Sequence, residues 1–114
     1  MVNVLVKQTA HIKLHGGQRH RLGIAIAAEV ATRKGYLVED MSTWRGSGEE
    51  PDLVLRKREK IGREWKILRY RLEVIDTHDP VPNWDKSGGY DDLIKIRVEG
   101  GPAEILVECE RQIL

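Results

Sequence analysis

Asp52 and Glu73 are the residues of this 114-residue chain whose types and spacing most directly suggest chemistry. Between them Ile61-Gly62 forms a turn signal, flanked by two runs that read as antiparallel strands. Folding the chain about that turn sets Asp52 opposite Leu72 to Glu73. Two carboxylates at one end of a twisted hairpin can share a hard divalent cation, which takes oxygen ligands and keeps waters for a substrate phosphate. The expected cofactor is Mg²⁺ or Mn²⁺. Its chemistry would be water activation, with neutralisation of charge developing on a phosphodiester.

The charge pattern suits such a substrate. From Arg56 to Arg71 eight bases stand against Glu59 and Glu64, while from Asp76 to Glu110 nine acids stand against Lys86, Lys95 and Arg97. The net charge of +1 conceals this segregation. A polyanion-binding face would produce it. So would a solvated hairpin paired with the acidic segment, either within one chain or between two copies as a homodimer. Arg69 and Arg71 share a strand face with Glu73, Arg19 and Arg21 open a helix after Gly16-Gly17, and Arg45 adjoins Trp44 in a polar loop. These five are the expected phosphate contacts. Trp44 and Trp84 could stack on unpaired bases, although a plug under a loop is the commoner fate of tryptophan.

Other chemistries find less support. His11 and His15 are four apart and His20 follows, but no carboxylate or cysteine stands at ligand spacing, so they read as surface histidines. The glycines before the helix lack the spacing of a nucleotide-binding loop. Cys109, the only cysteine, excludes an internal disulfide and a multi-cysteine zinc site and reads as core. No apolar run reaches the roughly 18 residues of a membrane span, and the N-terminus has no signal-peptide pattern, so a cytoplasmic protein is expected. Scarce Asn beside abundant Glu, Lys and Arg suits a thermophile.

The elements that must position these residues form one α/β (α+β) domain over residues 1–114. Val2–Val6 reads as a strand and Gln8–Leu14 as an extended piece. Leu22, Ile26 and Val30 recur every four residues among alanines, which predicts a helix over Gln18–Lys34 stopped by Gly35. Strands are expected at Tyr36–Val38, Asp52–Arg58, Lys66–Asp76 and Leu93–Val98, with a polar loop at Glu39–Glu50 and a proline-glycine loop at Asp79–Gly89. In the second hairpin strand Leu68, Tyr70, Leu72 and Val74 line a core face, and Ile67, Arg69, Arg71, Glu73 and Ile75 the other. Pro102 suits the first position of a helix over Ala103–Leu114, but Ile105, Val107 and Cys109 also alternate as in a strand.

The sequence of helix, Gly35, strand, Pro51-Asp52, apolar strand, turn and a strand ending in Glu73-Val74-Ile75 resembles the PD-(D/E)xK nuclease superfamily. It most closely resembles small archaeal proteins of the Holliday-junction-resolvase type. The likeness covers about Gln18 to His78 and rests on short, degenerate motifs. It implies a restriction-endonuclease-like fold, a small mixed sheet with a helix packed on it, DNA as partner, and Mg²⁺-dependent cleavage with Asp52 and Glu73 as catalytic ligands. An origin in an archaeon or its virus would fit. Two positions depart from the family's pattern. Its lysine falls at Ile75, and its early helical glutamate falls near Gly23 or Ile24, leaving Glu29 as the helical carboxylate. Glu29 and Asp76 are the expected further ligands. In another register Asp76-Thr77-His78 takes the D-x-K place. The resemblance thus implies either a metal-dependent endonuclease or an inactive relative that binds DNA or protein.

Overall fold

The structure, a computed structural model, describes residues 14, 17–44, 50–76 and 89–114. The expected strand at 2–6, His11, His15, Arg45, His78 and Trp84 lie outside them. Helix α1 spans Gln18–Arg33. Its small residues let it lie close on the sheet: a Cβ at Gly23 would stand 2.7 Å from methyls of both Val74 and Val98. The helix stops at Lys34-Gly35, where Gly35 takes φ 90° and the N–H groups of Lys34, Gly35 and Tyr36 return to the carbonyls of the last turn.

Strands β1 (Leu37–Val38), β2 (Leu53–Ile61), β3 (Glu64–Asp76) and β4 (Asp92–Val98) form one sheet in the order β1-β2-β3-β4. The first three are antiparallel neighbours, and β4 runs parallel to β3. A 3₁₀ turn at Met41–Thr43, capped by Asp40, leaves β1. The β2–β3 hairpin is longer than its apolar residues alone suggest. Pairing continues through charged residues to Ile61↔Glu64, around Gly62 at φ 65°. Arg63, like every described non-glycine residue, keeps negative φ, which gives the II′ turn that matches strand twist.

Helix α2 (Pro102–Gln112) settles the ambiguous tail. Ile105 and Cys109, one helical turn apart, are fully buried with Ile113, while Val107, which a strand would bury with them, is exposed. Both helices cover the same sheet face. Ile24, Ala27, Ala28 and Ala31 of α1 share that core with Leu53, Leu55, Leu72, Val74, Ile96 and Val98 of the strands. The Lys34 ammonium ties the helix ends together by donating to the carbonyls of Glu110, at 2.7 Å, and of Ile113. The result is a small mixed α+β domain, a four-stranded mixed sheet carrying two helices. On the opposite face Met41, Val54, Tyr90 and Trp44 form a second, smaller cluster, so Trp44 is a plug rather than an exposed stacking platform.

Candidate carboxylate site

The register Leu53↔Leu72 sets Asp52 opposite Glu73, at the end of the hairpin remote from its turn. Both are almost inaccessible, Asp52 at 5% and Glu73 at 7%, and they are the two buried charged residues among those described. Strand pairing alone explains why they meet: directly opposite residues of an antiparallel pair point to one face.

Each carboxylate is held. Asp52 Oδ2 accepts from the Val74 N–H at 2.8 Å, and Oδ1 lies 3.2 Å from His20 Nε2, in the first turn of α1. Arg71, two residues along β3 and so on the same face, donates from Nε to Glu73 Oε1 at 2.9 Å. Arg19 Nη1 lies 3.8 Å from Asp76 Oδ1 at the rim. Helix α1 has no acid in its own first turn. Asp52 and Asp76, contributed by the strands, meet its basic first turn instead and complement its dipole.

Burial and mutual repulsion separate the acidities of the pair. Glu73 is pushed up to about 8, first by desolvation, then by the charge of Asp52 and their hydrogen bond, against the opposing pull of Arg71. Burial would raise Asp52 too, yet hydrogen bonds from His20, from Glu73 and from the Val74 N–H outweigh it and hold Asp52 below the usual carboxylate range. The hydrogen bond to Asp52 raises His20 above its ordinary 6.5, against desolvation. At neutral pH the pair therefore holds one proton, on Glu73, and one negative charge, on Asp52, beside a histidine biased towards imidazolium.

Two crowded carboxylates can relieve their repulsion by sharing a proton or by sharing a cation. Mg²⁺ needs only one or two carboxylates beside waters and substrate oxygens, and Asp52 with Glu73 meets that requirement. Among the described residues no group of three or more His, Cys, Asp or Glu side chains converges as a metal cage. The further ligands expected from sequence are placed differently. Glu29 pairs with Arg33 one turn along α1 at 3.5 Å, and nine residues of helix separate it from His20, about 13 Å of rise. It belongs to the groove between the helices, where Leu22, Ile26, Pro102 and Leu106 are its neighbours. Asp76 stays at the carboxylate end, paired with Arg19 and close enough to influence His20. Ile75, in the lysine position of the resemblance, is 4% exposed.

The expected phosphate-contacting arginines divide in the same way. Arg71 is engaged by Glu73. Arg69 is clamped by both Glu39 oxygens, at 2.8 and 3.1 Å, and stacks 4.9 Å from the Tyr90 ring centroid. Arg19 holds Asp76, and Arg21 is exposed on α1. His20, read from the sequence as a surface histidine, is instead largely buried and set against Asp52. Its signal was faint, since nothing local to α1 says that its first turn ends beside Asp52; Gly23 and Ile24, the positions in question there, are both core.

Compared with known proteins, the chain matches no family model, no curated protein and no solved structure.

Proposed function

We propose that this protein is a divalent-cation-dependent phosphodiesterase acting on DNA, of the restriction-endonuclease-like kind. The supporting observation is the buried Asp52–Glu73 pair, closed by strand register at the end of a basic hairpin, with Glu73 pushed up to about 8 by burial and then by the charge of Asp52. Mg²⁺ or Mn²⁺ held between the two carboxylates would supply charge neutralisation and an activated water. The chain's own residues position that pair: His20 and the Val74 N–H fix Asp52, and Arg71 fixes Glu73.

The test is cleavage of plain and branched DNA with each cation. Activity lost on chelation and abolished by Asp52→Ala is expected, with Mn²⁺ binding that releases about one proton per site near pH 7, because the cation displaces the proton of Glu73. Absence of both cation uptake and DNA binding would sink the reading. Buried Ile75 favours a second reading, a nuclease-fold module that binds DNA without cutting it. Salt-dependent binding without cleavage under any divalent cation would select it.

A further inference from the structure

The β2–β3 hairpin outgrows the sheet. On one side β1 pairs only as far as Arg56. On the other, β4 reaches only Tyr70, and Asp91 closes the edge by exchanging hydrogen bonds with the Arg69 backbone at 2.7 and 2.8 Å. Beyond these points five residue pairs, Lys57↔Leu68 to Ile61↔Glu64, stand as a two-stranded ribbon with no strand beside them among the described residues. Among the described residues the ribbon has two open edges and no helix behind it, which core formation does not explain.

Its two faces differ. Cross-strand pairing puts Arg58, Lys60, Trp65 and Ile67 on one face, and both acids, Glu59 and Glu64, on the other with Lys57, Ile61, Lys66 and Leu68. The first face is thus basic and apolar without a single carboxylate. Trp65 is 57% exposed and Ile67 66% exposed, and the Arg58 guanidinium lies 4.7 Å from the Trp65 ring centroid. Among the described residues none of Lys57, Arg58, Lys60, Arg63 and Lys66 forms an ion pair, whereas Arg56, Arg69 and Arg71 nearer the core each have a carboxylate. The same side of the sheet continues through Arg56 and Arg69, then Val54 and Arg71, to Asp52 and Glu73, but there Met41, Trp44 and Tyr90 pack over Val54.

We infer that this ribbon, residues 57–68, is an arm that enters the major groove of duplex DNA, with Arg58 and Lys60 on the phosphates and Trp65 and Ile67 towards the base edges. The inference rests on the nucleic-acid part of the function proposed above and names the form of the substrate. A two-stranded ribbon fits the B-form major groove, about 12 Å wide, whereas the A-form groove of duplex RNA is too narrow. The Arg58 guanidinium already covers one face of the Trp65 indole, which favours groove contact over stacking with unpaired bases. Eight residues separate Lys60 from Asp52, about 27 Å of extended chain, so the arm would grip the duplex roughly eight base-pair steps from the stretch that reaches the carboxylates.

Fluorescence anisotropy with a labelled 20-base-pair DNA duplex, its single strand and the matching RNA duplex, in EDTA and at several salt concentrations, tests this. Wild type should favour duplex DNA by about tenfold or more. Arg58→Glu with Lys60→Glu should lower that affinity at least tenfold and flatten the log–log salt dependence by about 2, at about 0.9 per phosphate contact. Trp65→Ala should cost several-fold without changing the slope. Lys66→Glu, on the opposite face, should cost clearly less than the double variant. All four positions are exposed, so the fold is retained. Duplex binding indifferent to the ribbon variants would overturn the arm and leave the functional reading standing. Equal or stronger binding of the single strand or the RNA duplex would overturn groove entry alone. No binding to any of the three would overturn the arm, and together with an absence of cation uptake it would overturn the functional reading as well.

Discussion

Along β3 the two ends of the β2–β3 hairpin share a residue pattern, alternating charged and apolar positions, and do opposite things with it. At the carboxylate end the hairpin lies between β1 and β4 with two helices on one face, and even charged residues are buried: Asp52 and Glu73 are held by each other, His20, Arg71 and a backbone N–H. At the turn end there is no flanking strand among the described residues, and charged and apolar side chains alike face solvent. Position in the sheet, more than residue type, decides whether a charge is tuned or merely displayed. A carboxylate at the first end is moved several pH units from its ordinary value. The bases at the second end have no carboxylate partner among the described residues.

That contrast can be broken most severely by stability measurements. Leu72→Ala, at a fully buried position of the carboxylate end, should cost about 2–5 kcal/mol in urea unfolding. Ile67→Ala, five residues away on the same strand and largely exposed, should stay within about 0.5 kcal/mol. Comparable losses at both sites would mean that the ribbon is covered. Gly23→Ala should cost about 1–3 kcal/mol, since its methyl must displace Val74 and Val98 and with them the strand that carries Glu73. A neutral result would show that α1 can lift from the sheet freely.

The pH dependence should belong to the carboxylate end alone. Glu73 is raised from an unfolded value near 4.5 to about 8, so the folded protein holds a proton that the unfolded chain has released. Its contribution is fully present below pH 4.5 and is lost as the pH rises towards 8. His20, raised above 6.5, loses its contribution over the upper part of that range. Asp52 acts with the opposite sign: held low, it stabilises at neutral pH and loses that contribution only in acid. The melting temperature should therefore fall between about pH 5 and 8, and Glu73→Gln should flatten the fall. An unchanged slope in that variant would remove Glu73 as its source.

The smallest effect concerns the middle of the hairpin, where the two regimes meet. Glu39 holds Arg69 and lies 3.6 Å from Arg56. Glu39→Ala should remove the carboxylate facing these two arginines and steepen the salt dependence of duplex binding by about 1, at slight cost to stability. A slope unchanged from wild type would mean that Arg56 and Arg69 stay out of reach of phosphate.

Much of this was legible in the chain. The four-residue apolar repeat and the Lys34-Gly35 stop define α1 to within one residue, because a helix buries its face by its own periodicity. The turn at Gly62 fixes the meeting of Asp52 and Glu73, because antiparallel register follows once the turn is set. The reach of the hairpin was less evident, since Glu59, Lys60 and Glu64 have low strand propensity and pair nonetheless. The form of residues 102–112 stayed open because Ile105, Val107 and Cys109 fit a period of two as well as a helix does.

The sequence by itself determined which residues share a face and which lie opposite one another, since those relations follow from local periodicity and one turn. Only the tertiary structure decided what surrounds them. It brought His20 to Asp52 from 32 residues away, separated Glu29 from the pair, buried Ile75 and left the ribbon bare. Acidity and exposure depend on neighbours that the chain supplies from distant segments, and no local pattern records where those segments will dock.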